Sequence, residues 1–475
     1  MTAQVWRRIM LVGLALGLAL MVGGPAGTPD DPRLAGSARS ERNGWVHVRL
    51  SGPPEQVGFQ HGYLLAREIT DALDAVRHYL KHATGKDWAF YRKAAEDLFW
   101  PAMDDEYRRE IDGMAAGLAA RGRKIGRQDL VALNGWIELA LYYVPWLKRQ
   151  QGQALSVLRN TAPANCSAFI ATGDYTRDGL IVMGHNAWVD YLIGQRWNVI
   201  MDLTPQRGHR LFMDAFPGFI HSGDDFVING AGLMVTETTI SQFIGFDPKG
   251  VPEFNRARKA VQYAGDIDEW VRLMREGNNG AYANDWLIGD RKTGEIARLE
   301  LGLKHTPVWR TKNGYYVGSN FASDPQVIAD ETTGFKPDDP SHSANARRAR
   351  WEQLMEQHKG KIDVELAKQM EADHYDTFRR QEAPSANTLC GHADLDPRGC
   401  PEWEWEPFYA AGAVQGKVTD SRLAERLEFW AIMGHPCGRS FQAKSYLANH
   451  PAFKWQRKYL RDIPSQAWAR FAAGR

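Results

Sequence analysis

The sequence lacks an excess of charge of either sign. Of its 475 residues, 58 are Lys or Arg and 57 are Asp or Glu, which gives a formal net charge of +1. A nucleic-acid-binding protein needs a basic stripe to neutralise phosphates, and a balanced chain does not favour one. A nucleic-acid partner is therefore not expected. At roughly 100–200 residues per domain, the chain is long enough for two to four domains or one elaborated domain.

Long apolar runs are also scarce. The most prominent one covers Ile9–Val22, follows Arg7 and Arg8, and leads into small residues through Gly27. This pattern is typical of a secretory signal peptide, here residues 1–26, so we expect export to the periplasm or secretion. An uncleaved membrane anchor is the alternative. No cysteine lies near the cleavage point, so a lipoprotein anchor is not indicated. No later run approaches the ~18 apolar residues of a membrane helix.

Cysteine is rare, with four residues at Cys166, Cys390, Cys400 and Cys437. Cys390 and Cys400 enclose a short loop rich in Asp, Pro and Gly, and in an oxidising compartment this pair predicts a disulfide. A zinc site formed by Cys390, His392 and Cys400 is a second interpretation. It ranks lower because the paired short Cys spacing of structural zinc is missing. Cys166 has no local partner in either case, and the state of Cys437 is left open.

The sequence has no internal repeat and no Gly-x-Ser-x-Gly elbow, so a serine hydrolase is not supported. It has instead Cys166, in Asn165-Cys-Ser-Ala-Phe-Ile-Ala171, where an apolar run begins. A thiol is a good nucleophile only as a thiolate, and it needs a base nearby. If the chain is cut just before Cys166, the freed α-amine, with an ordinary pKa of ~7.7–8.0, can be that base. The plain alternative is a buried cysteine that acts as a small hydrophobic residue.

The periodicity changes from helical to strand-like at Cys166. Residues 27–165 are mainly helical apart from a short alternating strand at Trp45–Leu50, and a polar connector covers Gln151–Ala164. Beyond Cys166, short apolar runs bounded by Gly or Pro indicate strands and hairpins. A capping box at Asp266–Glu269 starts one predicted helix. Further helices are predicted at Ser343–His358, Asp363–Asp373 and Asp420–Met433. Together these elements predict an α+β fold with antiparallel sheets.

Six motifs, in order along the chain, carry a resemblance to a known family. They are Asn165-Cys-Ser-Ala168, His185-Asn-Ala-Trp188, Phe216-Pro-Gly218, His221-Ser-Gly-Asp-Asp-Phe226, Thr236-Glu-Thr-Thr-Ile240 and Gly280-Ala-Tyr-Ala-Asn-Asp-Trp286. Together they resemble the phospholipase B-like family of exported and lysosomal hydrolases, within the N-terminal nucleophile (Ntn) hydrolase superfamily. The stretch Gly58-Phe-Gln-His-Gly62 also resembles the related acyl-CoA:6-aminopenicillanic acid acyltransferases.

The resemblance implies an αββα four-layer sandwich, in which two antiparallel sheets lie between helical layers. Residues 166–475 would form this catalytic core, with helical additions at the C-terminus. The resemblance also implies self-cleavage between Asn165 and Cys166, with residues 27–165 retained as part of the fold. Cys166 would then be the nucleophile and its own α-amine the base.

Other site residues follow from the same resemblance. His185 is similar to the family's pocket histidine, and Asn284 is similar to the amide of its oxyanion hole. Asn186, Trp188, Glu237 and Thr238 are implied to line the substrate pocket. Acyltransferase and bile-salt-hydrolase relatives have an Arg-Asn-x-Asp pattern where this chain has His185-Asn-Ala-Trp188, which favours the phospholipase B-like branch. Structural alternatives stand beside these roles, since Asn284 with Asp285 can be a turn or strand-start pair and His185 a core histidine.

The function expected from these observations is hydrolysis of an acyl ester or amide bond by a cysteine nucleophile. The substrate is a small acyl compound, either a phospholipid or an N-acyl amide. No metal ion or organic cofactor is expected. Two alternatives stay open: an acyltransferase or penicillin-acylase-type amidase, and a non-catalytic lipid-binding protein of the cell envelope on the same scaffold.

Overall fold

The computed structural model describes residues 31–152, 164–224 and 226–474. The expected signal peptide, residues 1–26, and most of the connector ahead of Cys166 lie outside the described residues. Asp225, which belongs to one of the six motifs, also lies outside them.

Seventeen strands occur in the described residues, most of them short and rich in buried apolar side chains. They are β1 (Ala38–Arg42), β2 (Trp45–Gly52), β3 (Ala164–Gly173), β4 (Gly179–Asp190), β5 (Val199–Pro205), β6 (Leu211–Ala215), β7 (Val227–Asn229), β8 (Leu233–Thr239), β9 (Asn284–Asp290), β10 (Glu295–Leu301), β11 (Val308–Thr311), β12 (Gly314–Gly318), β13 (Tyr375–Asp376), β14 (Gln381–Glu382), β15 (Ala411–Asp420), β16 (Glu428–Met433) and β17 (Ala469–Ala472).

The α-helices of the described residues are concentrated before β3 and after β8. They are α1 (Pro54–Leu64), α2 (Ala66–Thr84), α3 (Trp88–Ala94), α4 (Asp105–Ala120), α5 (Arg127–Asn134), α6 (Trp136–Glu138), α7 (Val144–Gln150), α8 (Tyr191–Gly194), α9 (Glu253–Tyr263), α10 (Ile267–Arg275), α11 (Pro325–Glu331), α12 (Ser343–Gln357), α13 (Val364–Glu371), α14 (Ser421–Glu425) and α15 (Ala443–Asn449). Two π-helical segments, Ala95–Phe99 and Leu139–Tyr143, continue α3 and α6.

Several predicted elements are confirmed. The strand at Trp45–Leu50 is β2, and the capping residue Asp266 accepts a hydrogen bond from the Glu269 N–H at 2.9 Å at the start of α10. The helix predicted over Asp420–Met433 is wrong, because the short helix α14 and the strand β16 occupy that range. Phe429 and Ala431, two residues apart on β16, are buried in the core, so pairing of a period-two apolar pattern overrides the helical propensity of the stretch.

Two large sheets form the centre of the molecule. The nine-stranded sheet has the order β1-β2-β5-β6-β7-β8-β9-β10-β11, and the six-stranded sheet has the order β12-β3-β4-β15-β16-β17. The named strand pairs in the described residues are antiparallel except β2 and β5, which are parallel. This pair corrects the expectation of purely antiparallel sheets. It arises because β2 and β5 are separated by the whole helical segment, which allows a crossover connection.

The two sheets face each other, and helices cover their outer faces. Strand β3 packs against β8 and β9 of the other sheet, and Ile170 and Leu287 meet in the core between them. Helices α12 and α13 lie on the outer face of the six-stranded sheet, where Trp351 packs on Phe169. Helices α9 and α10 lie on the nine-stranded sheet. The predicted α+β class is therefore confirmed as two sheets flanked by helices.

Both ends of the described chain contribute to the sheets. The N-terminal segment, expected to be mainly helical, also supplies β1 and β2 to the nine-stranded sheet. The C-terminal part, expected to be helical additions, supplies β15, β16 and β17, which are half of the six-stranded sheet. Neither end is a peripheral appendage.

The Gly58–Gly62 motif has a packing role in this structure. Helices α1 and α4 cross so closely that a Cβ on Gly58 would lie 1.9 Å from the Glu110 carbonyl oxygen, and one on Gly113 would lie 2.2 Å from the Glu55 carbonyl oxygen. His61 between the two glycines is buried, and its Nε2 accepts a hydrogen bond from the Gly218 N–H at 3.2 Å.

No single helix in the described part of the chain is both long and apolar enough to cross a membrane. The helical stretches Arg127–Asn134 and Trp136–Gln150 have the necessary length and composition only when taken together, and they are bent by 67° at the break between them.

Candidate active site

Cys166 lies near the start of β3, next to the gap between the two sheets. It is paired with Ala187 of β4, and Ala168 is paired with His185, so these four residues share one face of the sheet. Ala168 packs in the core between the sheets, which shows that this face is the inner one. The Cys166 residue has no exposed surface.

The peptide groups of Cys166 are held by two buried side chains. Its N–H donates to Asn320 Oδ1 at 3.1 Å, and its carbonyl oxygen accepts from an Arg347 guanidinium nitrogen at 2.7 Å. Arg347 also donates to Asn320 Oδ1 at 2.9 Å, so this amide oxygen accepts hydrogen bonds from both the Cys166 N–H and the Arg347 guanidinium. The nucleophile candidate is therefore fixed at its backbone by side chains that come from beyond β12.

Asn320 has a backbone φ of +72°, in the left-handed region that Asn tolerates better than most residues. Its Nδ2 donates to the Thr239 carbonyl oxygen at 2.8 Å, at the end of β8. The same side chain therefore connects the start of β3 to the opposite sheet.

Arg347 lies on α12 with its guanidinium carbon 4.2 Å from the centre of the Trp188 ring. Burial lowers the pKa of Arg347 to about 10, so the side chain stays positively charged near neutral pH. Asn320 and Arg347 were not among the residues identified from the sequence. For Arg347, the sequence offers one signal. The arginine lies in the helix Ser343–Gln357 between the apolar residues Ala344 and Trp351, both of which are buried.

The thiol of Cys166 lies in a polar cluster. One ligand-type atom each from Cys166, His185 and Glu237 lies within 4.8 Å of the others, and the thiol is 3.8 Å from Glu237 Oε1. His185 and Glu237, identified separately in the sequence, are therefore brought to Cys166 by the fold. Thiol, imidazole and carboxylate groups are all metal ligands, so these three residues could bind a metal ion. The same groups can also transfer a proton among themselves.

His185 is fully buried, and neither of its ring nitrogens has a hydrogen-bond partner among the described residues. Burial, followed by the charge of Lys417, lowers the pKa of His185 well below its usual value, so the imidazole is neutral. Lys417 itself is bound to Asp214 and Asp224 at 2.7 and 2.6 Å, a buried ion cluster that joins the two sheets.

Burial, followed by the negative charge of Glu237, raises the pKa of the Cys166 thiol well above its usual value. In the intact chain the thiol is therefore protonated near neutral pH and needs a base before it can attack. Glu237 Oε1, 3.8 Å from Sγ, is a carboxylate oxygen in reach of its proton.

Asn284 belongs to the same cluster. With its amide nitrogen turned toward acceptors, Nδ2 donates to Glu237 Oε2 at 3.0 Å and to the Ala283 carbonyl oxygen at 3.1 Å. The Tyr282 hydroxyl lies 3.3 Å from Glu237 Oε1. Glu237 thus connects the thiol to the Asn284 carboxamide, the group identified from the sequence as an oxyanion donor.

The other predicted pocket residues divide between two faces. Thr238 is buried beside Gly318 of the opposite sheet, and its hydroxyl has no hydrogen-bond partner within the described ranges. Asn186 and Trp188 point to the outer face of β4, where their side-chain nitrogens donate to the Leu389 carbonyl oxygen at 3.1 Å each. Their predicted place in the pocket is corrected by the strand alternation, which directs them to the helical layer and away from the thiol face.

The disulfide predicted between Cys390 and Cys400 is not formed in this structure. The Cys390 sulfur lies instead 3.5 Å from His392 Nε2, and the Cys437 sulfur lies at the same distance from that nitrogen. Cys400 is buried separately and is not part of this group. The short loop between Cys390 and Cys400 does not join the two thiols, and the backbone of Cys400 is paired with Trp405.

A comparison with protein families matches the part of the chain that contains Cys166, His185, Glu237 and Asn284. The family model described as Phospholipase B matches residues 65–302, about half of the chain. The chain belongs to the phospholipase B family. All six motifs from the sequence lie inside the matched residues, whereas Asn320 and Arg347 lie beyond them.

Curated relatives agree with this assignment. Phospholipase B from Crotalus adamanteus is 27% identical over 304 residues, which cover 58% of this chain and 51% of that protein. Phospholipase B-like 1 from Bos taurus is 23% identical over 458 residues, which cover 84% of this chain and 77% of that protein. The chain spans about half the length of several of the curated relatives it matches.

Among solved structures, the chain is similar to a mutant of conjugated bile acid hydrolase from Clostridium perfringens. The sequence identity is 12% and the TM-score is 0.34, over 56% of this chain and 89% of that chain.

Proposed function

We propose that this member of the phospholipase B family is an exported, self-processing acyl hydrolase with Cys166 as its nucleophile. The observation that carries the proposal is the environment of Cys166. Both of its peptide groups are bound by buried side chains, and its thiol lies beside the Glu237 carboxylate and the His185 imidazole. A cysteine that only fills space in a core requires none of these polar neighbours.

The architecture supports the chemistry. Two facing sheets between helical layers, with the nucleophile near the start of a strand that lines the gap, correspond to the αββα sandwich of Ntn hydrolases. In that arrangement a cut ahead of the nucleophile turns its N–H into an α-amine. The proposed cut lies between Asn165 and Cys166. Residues 27–165 stay bound after it, because β2 is paired with β5 inside the nine-stranded sheet.

The scission step uses groups that are already in contact. Cys166 Sγ attacks the carbonyl carbon of Asn165, so that a C–S bond forms and the C–N bond of that peptide breaks. Glu237 accepts the thiol proton, which is then delivered to the departing nitrogen. Asn320 holds this nitrogen through the 3.1 Å hydrogen bond from its N–H. Water hydrolyses the resulting thioester, which leaves a carboxylate on Asn165 and restores the thiol.

Turnover follows the same pattern with an external acyl group. The new α-amine of Cys166 removes the thiol proton, since its ordinary pKa of ~7.7–8.0 suits a general base. Sγ attacks the substrate carbonyl, the acyl group moves to sulfur, and the alcohol or amine leaves with the proton from the α-amine. Water then attacks the thioester with the amine again as base. Neutral His185 acts as a hydrogen-bonding group in this pocket and not as a cation.

Asn284 stabilises the oxyanion in this proposal. Its Nδ2 is directed at Glu237 Oε2 in the intact chain, and a substrate oxyanion replaces that carboxylate as the acceptor. Loss of one such donor costs roughly 2.7–4 kcal/mol, or about 10²–10³ in kcat. Thr238, whose hydroxyl faces the gap between the sheets, is the candidate contact for the substrate's polar portion.

The substrate class is inferred from the family. Two relatives to which this chain is similar are named phospholipase B and phospholipase B-like 1, so we propose the acyl ester of a phospholipid as the substrate, with an N-acyl amide as the compound to test beside it. Export to the periplasm or beyond places the enzyme where membrane phospholipid is accessible. Because Cys166 is fully buried in the intact chain, that form is proposed to be an inactive precursor.

Intact mass under denaturing conditions tests the first half of the proposal. The wild type is expected to give two pieces that meet between Asn165 and Cys166, whereas Cys166→Ala is expected to remain one chain. Cys400→Ala is the matched control, because Cys400 is also buried but lies outside the thiol cluster. A wild type that stays whole after prolonged incubation at neutral and at alkaline pH contradicts self-processing, because the raised pKa of the Cys166 thiol makes scission faster as pH rises.

A second experiment tests catalysis on the processed protein. An ester and an amide with the same acyl chain and a related head group are compared, and the acyl-enzyme is trapped by rapid acid quench and located by mass. Acylation of Cys166 supports the hydrolase, and the faster of the two substrates identifies the bond. Processed protein that binds lipid without forming an acyl-enzyme or turning over either compound supports the lipid-binding alternative instead.

A further inference from the structure

A second cluster of metal-ligand side chains lies outside the candidate active site. It consists of His374, Cys390, His392 and Cys437, and we refer to it as the Cys2His2 cluster. One ligand atom from each of the four lies within 4.8 Å of the others. Cys390 and His392 are buried, while His374 and Cys437 are partly exposed. None of the four has a role in the proposed acyl transfer.

The distances inside the cluster match the edges of a zinc tetrahedron. His392 Nε2 lies 3.5 Å from the Cys390 sulfur and 3.5 Å from the Cys437 sulfur. Zn–S bonds of about 2.3 Å and Zn–N bonds of about 2.0–2.1 Å at a tetrahedral angle give an S···N edge of about 3.5 Å. The two sulfurs are therefore as far from the imidazole nitrogen as they would be around a shared ion.

The polar groups behind the cluster support the same interpretation. Asp394 Oδ1 lies 3.7 Å from His392 Nδ1, the ring nitrogen directed away from the sulfurs, and the Tyr191 hydroxyl donates to that oxygen at 2.7 Å. A carboxylate behind a histidine commonly orients the ring for metal binding. His374 Nε2 is buried without a hydrogen-bond partner within the described parts of the chain, as an unused ligand atom would be.

The four ligands come from three separate segments that are already fixed by backbone contacts. The Cys390 N–H donates to the Asp373 carbonyl oxygen at 3.1 Å, next to His374. Cys437 lies in a turn closed by the Gly438 N–H and the His435 carbonyl oxygen at 2.8 Å. An ion bound here would join the end of α13, the loop that carries Cys390, and the turn after β16.

We propose that the Cys2His2 cluster is a structural site for zinc or a similar thiolate-preferring divalent cation. Two thiolates and two neutral imidazoles balance the charge of a divalent ion. Four protein ligands complete a tetrahedron and leave no open position for catalysis. In this proposal Cys390 is a metal ligand and is not part of the predicted Cys390–Cys400 disulfide. The other ligands include His374 and Cys437, which lie outside the loop between Cys390 and Cys400.

Metal content measured on the full-length protein tests the proposal. The protein is reduced, stripped with a chelator, incubated with zinc chloride and freed of excess metal, and zinc per chain is measured by mass spectrometry. One zinc per chain is expected for wild type, Cys400→Ala and Cys166→Ala, and at least a tenfold lower content for Cys437→Ala. The Cys166→Ala variant separates this site from the Cys166, His185 and Glu237 trio, which also contains metal-ligand atoms.

Cobalt gives a second readout that does not depend on activity. Cobalt(II) bound by two thiolates in a tetrahedral site produces an intense visible absorption, expected in wild type and Cys400→Ala and lost in Cys437→Ala. If Cys437→Ala does not fold, His374→Ala serves in its place, because that side chain is partly exposed. Zinc is then expected to raise the Tm of the wild type and not that of His374→Ala.

Three results would overturn the proposal. The first is a reduced wild type that binds neither zinc nor cobalt. The second is zinc that stays in Cys437→Ala and disappears from Cys166→Ala. The third is a Cys390–Cys437 disulfide in the purified protein, identified by peptide mass, together with failure of the reduced protein to load metal, which would assign the pair to a redox crosslink instead.

Discussion

The side-chain oxygen of Asn320 accepts a hydrogen bond from the peptide N–H of Cys166 at 3.1 Å, although the two residues are 154 positions apart. This contact fixes the nitrogen that self-cleavage would convert into an α-amine. It also places an acceptor where that amine would need one. Asn320 is therefore proposed as a positioning residue, acting through Cys166.

The first prediction concerns Asn320. Asn320→Gly keeps the left-handed backbone, which glycine adopts freely, and removes the amide. Loss of a hydrogen bond worth about 1 kcal/mol is expected to slow scission at least fivefold. Asn320→Asp is the matched control, because it keeps an acceptor oxygen and is expected to process faster than the glycine variant. Scission of Asn320→Gly at the wild-type rate would show that the contact is only structural.

The second prediction concerns the pH dependence of scission. In the intact chain, burial and the Glu237 charge raise the pKa of the Cys166 thiol, so the rate of scission is expected to increase with pH. Glu237→Gln removes the negative charge, lowers the pKa of the thiol and shifts the midpoint of the profile to lower pH. Because Glu237 also accepts the thiol proton, the maximum rate is expected to fall about 10²-fold or more.

Glu237→Asp provides the control for that experiment. It keeps the charge and shortens the reach to the thiol, so the midpoint is expected to stay near the wild-type pH while the maximum rate falls. Identical midpoints for wild type and Glu237→Gln, measured by mass over a series from neutral to strongly alkaline pH, would exclude an electrostatic effect of Glu237 on the thiol.

The third prediction concerns Glu371, a buried carboxyl whose two oxygens have no hydrogen-bond partner among the residues described. Burial raises the pKa of Glu371 well above 4.5, despite the nearby charges of Lys417 and Lys368. The folded state therefore keeps the proton while the unfolded state releases it. The free energy of unfolding is expected to fall by up to about 1.4 kcal/mol per pH unit from about pH 4.5 up to the folded-state pKa.

Glu371→Gln removes this penalty, because the amide is neutral at every pH. The variant is expected to gain stability relative to the wild type as pH rises from mildly acidic to neutral, measured by urea unfolding. Glu365→Gln on the same helix, with its side chain 71% exposed, is expected to show little change. A constant stability difference between Glu371→Gln and wild type across this range would contradict a raised pKa.

The fourth prediction concerns the contact between α1 and α4. Gly58→Ala places a Cβ 1.9 Å from a backbone oxygen, so the helices must separate. Such overpacking is expected to lower the free energy of unfolding by about 1–3 kcal/mol. Gly230→Ala is the control, because its nearest neighbour would be at an ordinary 3.5 Å. Equal unfolding midpoints for the two variants would mean that α1 and α4 adjust without cost.

Local sequence patterns identified much of the fold. The period-two pattern at Trp45–Leu50 and the capping residue at Asp266 specify elements that the structure contains. The motifs also identified Cys166, His185, Glu237 and Asn284, and the structure brings these four into one cluster. The two elements are predicted correctly because propensity and capping are properties of neighbouring residues.

The other features of the fold and the site depend on contacts between segments that are far apart in the sequence. The strand β16 at Glu428–Met433 exists because β15 and β17 lie on either side of it, which local propensity does not report. Cys390 meets Cys437 and not Cys400, because a turn after β16 brings Cys437 beside His392. Asn320 and Arg347 reach Cys166 from beyond the motifs, so only their packing identifies them.

By itself, then, the sequence determined the α+β class, the family and the identity of the candidate nucleophile, since each is written in local pattern or motif order. The tertiary structure decided which faces of β4 line the site, which thiols are neighbours and which side chains hold the backbone of Cys166. The physical reason is that these are contacts between segments distant in the chain, selected by the burial of two facing sheets and their helical layers.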